Sequence, residues 1–306
     1  MKTKYQQPPW LAMTVLAAAF VTATTVAAAP PNPTFDWTTV VNNNDLMPGA
    51  PNERTFNSYN QPSVNLNGLV VIRARSKGGD GGGGGGGGGD EQGGGHGPTH
   101  GIYTRDMAVE DSEIIRILDR TTEVPQPNNA HYPPTNESLT TFIETPSFPR
   151  IDMESDTIAT RGNHQPVWRY LLDDGTETRA GTTGLYTNPF GPLITGAAKL
   201  GAVPELSFFE VPEFPGTTFE VFPGAPSVTE GDTIVFKGNY TVGDSSKTGV
   251  YYRVLEDEPA GGTSPVVLIA NNTDTVIPGT DEVFGSTAPP SAAGQRVVFA
   301  GFDNED

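Results

Sequence analysis

Four histidines, His96, His100, His131 and His164, are the natural starting point for chemistry in this sequence. His96 and His100 form a His-x-x-x-His pair, a spacing that binds metal when a helix sets both rings on one face. Here the pair sits in a glycine-rich stretch that cannot hold a helix, so a zinc site is not expected. No Gly-x-Ser-x-Gly elbow occurs, and nothing singles out a Ser-His-Asp set. With Cys 0, a thiol nucleophile, a disulfide framework and a Cys-based zinc or Fe–S site are all excluded. Acidic groups cluster at Asp173-Asp174, at Glu256-Asp257-Glu258 and at Asp303, Glu305 and Asp306. Glycosidase carboxylates are placed by a fold rather than by adjacency, so these runs read as solvated loops. No catalytic and no cofactor-binding residue is assigned. The remaining candidates are Asp45, Asp119 and Asp274, each ahead of a Pro or Pro-Gly in a turn between repeats; Lys199 lies in the corresponding turn of the other copy. An aspartate there caps its own turn. Calcium held by clustered loop oxygens is the rival reading, which makes these three the metal candidates and calcium the one cofactor considered.

Those turns belong to a repeating β unit, best seen from Pro226 to Ala270. It runs as a Pro-Ser corner, a strand (Thr233–Lys237), a polar turn, a second strand (Val250–Val254) and a third (Val266–Ala270). Pro-Ser corners recur at 62, 146, 226 and 290, spaced by 84, 80 and 64. Gly-Ile-Tyr-like strands start at Gly101, Gly184 and Gly249, spaced by 83 and 65. A third series, a strand and turn leading into each copy, reads WTTVVNNNDLMPG, IRILDRTTEVPQP, LITGAAKLGAVP and VLIANNTDTVIPG. A basic unit of about 65 residues with insertions in the first two copies fits these landmarks. The copies lie near 35–118, 119–197, 198–270 and 271–306, the first opening on a strand at Trp37–Val41. The last stops before its Gly-Ile-Tyr strand, so the natural protein is expected to continue past Asp306. Residues 77–101, with nine unbroken glycines from Gly81 to Gly89, read as a flexible insertion in a hairpin loop. Pro166–Leu172 reads as an extra strand in an expanded loop, and Leu206–Val211 as an apolar insertion.

The expected fold is all-β, made of tandem four-stranded repeats. One such unit cannot bury both faces of its sheet alone, so it must stack on its neighbours. Short connections favour the blades of a β-propeller; the alternative is a string of small β-sandwiches.

Residues 1–28 match an export signal: Lys2 and Lys4, an apolar run from Trp10 to Ala28, and small residues for cleavage after Ala28. Residues 29–34 then read as an extended linker. The formal net charge is −18, and about −20 once the two leader lysines are removed. So acidic a surface repels nucleic acid and anionic lipid. A secreted or cell-surface location follows, with no membrane contact beyond the leader.

The ordered motifs resemble a family of bacterial secreted tandem-repeat proteins, the choice-of-anchor type. They are Asn65-Leu66-Asn67-Gly68 running into Leu69–Ile72, Gly231 to Val235-Phe236, and Gly294 to Val298-Phe299. Gly101-Ile102-Tyr103, Gly184-Leu185-Tyr186 and Gly249-Val250-Tyr251 follow, with Pro-Gly turns at Pro48, Pro215 and Pro278. The resemblance implies an exported or surface protein, often with a C-terminal sorting anchor, and carries over no reaction and no catalytic residues. The expected function is therefore an exported, non-enzymatic surface or matrix scaffold or binding module, its partner an extracellular protein or glycan. An extracellular propeller-type hydrolase or lyase acting on glycan, and a calcium-stabilised adhesion module, are the alternatives.

Overall fold

The computed structural model describes residues 35–50, 53–77, 99–129, 140–165, 168–171, 177–180 and 183–303. The expected leader (1–28), the linker (29–34) and residues 78–98 of the glycine-rich insertion lie outside the described residues. So do His96, His131, Asp173-Asp174, Glu305 and Asp306. The chain divides into Met1–Thr38 and Thr39–Asp306. In the first unit the rings of Phe35 and Trp37 stand 6.5 Å apart. The second carries every strand among the described residues. Among the described residues no helix is long and apolar enough to cross a membrane.

Repeat 1 is an antiparallel meander of β1 (Phe56–Tyr59), β2 (Ser63–Val64), β3 (Leu69–Ser76), β4 (His100–Asp106) and β5 (Ile115–Asp119). Both β1 and β2 pair with β3, so they are two halves of one strand interrupted at Pro62. Proline has no N–H to give the ladder, which is why the pairing lapses there. Repeat 2 follows the same plan with β6 (Thr141–Glu144), β7 (Arg150–Ile151), β8 (Ile158–Gln165), β11 (Thr183–Thr187) and β12 (Ile194–Ala198). Its expanded loop holds a separate hairpin, β9 (Trp168–Leu171) and β10 (Glu177–Ala180). Repeat 3 consists of β13 (Ser227–Thr229), β14 (Thr233–Val242), β15 (Ser245–Val254) and β16 (Val267–Asn271), with a bridge from Val221 to Asn239 standing for the outer half of its broken strand. Repeat 4 has β17 (Ser286–Thr287), β18 (Ser291–Ala293), β19 (Arg296–Val298) and β20 (Gly301–Phe302). These pair as one broken strand against the next, β17 on β20 and β18 on β19. The sheets are antiparallel and none closes into a barrel.

Strand periodicity decides how the sheets bury themselves. Alternate residues of β8 and β11 point to opposite faces. Ile158 and Tyr186 enter a core shared with Val71, Ile102 and Leu118 of repeat 1. Their neighbours Ala159 and Leu185 enter a core shared with Ile234, Phe236 and Tyr251 of repeat 3. The middle sheet is thus apolar on both faces because a sheet lies against each.

The Gly-x-Tyr motif has a steric cause. Glycine and tyrosine two positions apart share one face of the strand, and the ring folds back over the glycine. A Cβ at Gly101 would stand 2.9 Å from Tyr103 Oη, one at Gly184 2.9 Å from Tyr186 Oη, and one at Gly249 2.5 Å from Tyr251 Oη. Each ring then meets a phenylalanine from the broken strand edge-on. Phe56–Tyr103, Phe142–Tyr186 and Phe219–Tyr251 have centroids 5.0, 4.7 and 5.0 Å apart and planes at 86°, 89° and 72°. Edge-to-face contact of this kind adds about 0.5–1.5 kcal/mol beyond area burial. Phe142, Phe219 and Phe284 in turn lie over Gly162, Gly238 and Gly301 of the second strand, where a side chain would collide with the ring.

Two expectations need correction. Trp37–Val41 forms no strand. Its counterparts β5, β12 and β16 each pair with a Gly-x-Tyr strand, and among the described residues none precedes Trp37. The lead-in turn of repeat 3 is also not at Ala202-Val203-Pro204. An isolated bridge marks this turn in every repeat: Leu46↔Thr55, Glu123↔Thr141, Glu210↔Thr218 and Val276↔Val283. The third turn is therefore Glu210-Val211-Pro212, so Pro212 rather than Pro215 matches Pro48. Pro204–Phe209, a 3-10 helix, is inserted before it. Two similar tripeptides, AVP and EVP, compete for one role in the sequence, and only pairing separates them.

Gly249→Ala should destabilise the protein by about 1–3 kcal/mol through overpacking against Tyr251 and the Ala270 carbonyl. Urea unfolding measures this; an unchanged midpoint would mean the ring does not need the glycine.

Candidate functional site

The three metal candidates sit in different turns and perform different local tasks. Buried Asp119 accepts the Thr121 N–H at 2.8 Å, and Thr122 Oγ1 accepts the Asp119 N–H at 2.9 Å. Asn271 takes the Asp119 role in repeat 4's lead-in, accepting from Thr273 N–H at 3.1 Å, while Thr275 Oγ1 accepts the Asn271 N–H at 2.9 Å. Before repeat 1, Asn42 accepts from Asn44 N–H at 2.8 Å and Asp45 accepts the Asn42 N–H at 2.8 Å. Asp45 therefore matches Thr122 and Thr275, not Asp119. Asp274 is exposed and lends only its N–H, to Asn271. An Asx-type cap explains the two bonded aspartates. The structure does not bring the three together, and among the described residues no group of three or more His, Cys, Asp or Glu side chains could hold a metal ion.

What the sequence reading missed is a cation at one position of the second strand in repeats 1, 2 and 3. Arg73, Arg161 and Lys237 occupy it, each just before the residue that faces the glycine of the Gly-x-Tyr strand. Each reaches across to a carbonyl in the broken strand of the next repeat. Arg73 Nε donates to Thr145 O, Arg161 Nη1 to Phe222 O at 2.6 Å, and Lys237 Nζ to Thr287 O at 2.5 Å. Burial pushes the pKa of all three down, yet their ordinary values are so high that they stay charged at neutral pH. The signal available in sequence was a basic residue ahead of Ala or Gly in three copies (Arg73-Ala74, Arg161-Gly162, Lys237-Gly238).

Around Arg161 the seam opens into a polar cleft. The seam between repeats 2 and 3 holds one of about 350 Å³, lined by Arg161, Asn163, Thr183 and Lys199 on one side and Glu220 and Val221 on the other. Burial lowers the Lys199 pKa and Glu220 opposes the shift. A second cleft of about 510 Å³ is lined by Gln126, Pro127, Phe208, Glu256, Glu258 and Gly262 among others. The acidic run Glu256-Asp257-Glu258 thus borders a cleft, and Glu256 Oε1 accepts from Ser264 Oγ at 2.8 Å. Beneath it the fully buried Arg253 donates to the carbonyls of Gly196, Ala260, Gly261, Gly262 and Ser264 and stands 4.9 Å from the rings of both Phe208 and Phe209. Burial brings its pKa to about 10. Arg253 fastens the loop and the inserted 3-10 helix to repeat 2, so its role is internal.

The two described histidines differ. His164 on β8 is fully buried, its ring 6.3 Å from that of Tyr186, and neither nitrogen has a partner. Desolvation lowers its pKa to about 4. His100 on β4 is half-buried, and burial together with nearby Arg120, Arg73 and Arg75 lowers its pKa against the pull of Glu144. No family model matches the chain, and no curated protein or solved structure matches it.

A buried neutral His164 makes stability depend on pH. Its folded pKa lies below the unfolded value near 6.5, so its contribution is present above pH 6.5 and is lost as pH falls toward 4. The loss should reach about 3 kcal/mol. Urea titrations between pH 7 and 4 should show it, and His164→Leu should remove most of the slope; an unchanged slope would show that the ring is solvated.

Proposed function

We propose that this chain is an exported, non-enzymatic β-repeat protein that serves as a surface or matrix scaffold or binding module, of the choice-of-anchor type its motifs resemble. The observation that carries the reading is the use made of its strongest polar groups. Arg73, Arg161, Lys237 and Arg253 all donate to backbone carbonyls, mostly across a repeat boundary. Such groups stiffen an array instead of activating a substrate. An acidic, cysteine-free chain with an export-type leader fits an extracellular setting.

The finer arrangement in this reading is propeller-like. Each complete repeat has a single four-stranded meander, not the paired sheets of a sandwich, and consecutive meanders share their cores. The inner half-strands β2, β7, β13 and β18 are neighbours in that order, as the inner strands of adjacent blades are.

Fractionation of the native source with N-terminal sequencing tests the reading. The expected product lies outside the cytoplasm and starts at Ala29. Cytoplasmic protein with an intact leader would contradict it, as would turnover of a polysaccharide or ester that one point mutation abolishes.

A further inference from the structure

The seam between repeats 1 and 2 gathers positive charge in a protein whose net charge is −18. Three adjacent strands supply it. Arg75 on β3 is directly opposite His100 on β4. Gly101 is opposite Asp119 on β5, which sets Arg120 beside His100 at the following position. Arg73 lies two residues before Arg75 on the same face of β3, the face that reaches Thr145 of repeat 2. Directly paired residues stand side by side, so this is one surface, not a scatter of exposed arginines.

The charges there are largely unspent. The ion pair between Arg116 and Asp119 involves none of these groups. Arg73 donates through Nε to Thr145 O and through Nη1 to Asn60 Oδ1 at 2.8 Å. Arg75 donates through Nε to Ser58 Oγ at 2.8 Å, leaving both terminal nitrogens free. His100 Nδ1 is buried without a partner. Glu144 is the acid facing the cluster, and its Oε2 is engaged by Asn163 Nδ2 at 3.3 Å. The equivalent positions at the next seam are Asn163, Thr183 and Lys199, so Arg75 and His100 have no basic counterpart at their own positions there.

We propose that Arg73, Arg75, His100 and Arg120 form an oxyanion-binding site that takes a single sulfate, phosphate or carboxylate group. Arginine forks match the geometry of such groups, and His100 gains a partner by protonating as the anion enters. The overall acidity of the chain selects against polyanions, whose many charges meet the repulsive field of the remaining surface. The site takes one charged group, either as a free ion or displayed on a neutral carrier such as a sugar. The inference does not require export and stands or falls apart from the proposed function.

The test is a titration of the full chain at low, constant ionic strength, read by NMR on the His100 ring and by thermal melting. Inorganic sulfate, phosphate, acetate and galactose 6-sulfate are compared with chloride. Saturable binding should raise the His100 pKa and the melting temperature. Equal binding of inorganic sulfate and the sugar sulfate means that the free group is the ligand; tighter binding of the sugar sulfate means that a carrier is recognised. Arg75 and Arg120 are exposed, so Arg75→Gln with Arg120→Gln should leave the fold intact. Losing two charge-assisted contacts should weaken binding by about tenfold or more. Arg296→Gln, exposed in repeat 4, should change nothing. The proposal is overturned if no oxyanion moves the His100 shift beyond the chloride effect, or if the double variant binds as well as the wild type.

Discussion

A tyrosine ring lying over a glycine, met edge-on by a phenylalanine, is the contact on which this structure depends. It occurs in all three complete repeats with nearly the same geometry. The glycine provides the space, the tyrosine fills it, and the phenylalanine ties the first strand of the meander to the third. Tyr186 and Tyr251 face the preceding repeat, so in repeats 2 and 3 one contact both closes its own sheet and presents a flat apolar surface to the neighbour, while Tyr103 packs against the lead-in of its own repeat. Burial pushes the hydroxyls of Tyr103, Tyr186 and Tyr251 well above the ordinary tyrosine range, so these rings act as neutral packing groups.

The proline break in the first strand creates a problem that the seam cations solve. Where the ladder lapses, a carbonyl facing the neighbouring sheet loses its strand partner, and leaving such a group buried and unpaired costs about 1–3 kcal/mol. Arg73, Arg161 and Lys237 supply the missing donors from the preceding repeat. The turns are knitted in parallel. Asn65 Nδ2 donates to Asp156 Oδ1 at 2.7 Å, Gly231 N–H to Asp152 Oδ2 at 3.0 Å, and Thr229 Oγ1 to Gly294 O at 2.8 Å. Gly231, at φ +78°, can make that turn without a Cβ penalty. In repeat 4 the cation position is Ala300.

The all-β character, the order of strands and the Gly-x-Tyr series were legible because each rests on local periodicity or on a residue that only one geometry accepts. Lead-in turns were legible only in part. Asp45, Asp119 and Asp274 look alike beside their prolines, yet hydrogen bonding assigns Asp119 and Asn271 one role, and Asp45 and Thr275 another. Asparagine and threonine satisfy the same turn by the same atoms, so residue identity hides the equivalence. The candidate site was not legible. Arg75, His100 and Arg120 are scattered along the sequence across a glycine-rich insertion, and only the register of β3, β4 and β5 makes them neighbours.

If stacked sheets with shared cores hold the array together, repeats 2 and 3 cannot open independently. Hydrogen exchange of backbone amides across a denaturant series tests this most directly. Shared cores predict that β8 and β14 converge on one opening free energy, with a denaturant dependence that reports the surface of both sheets. Two separate isotherms, each with the smaller dependence of a single repeat, would mean that the sheets fold as independent domains and would contradict the account.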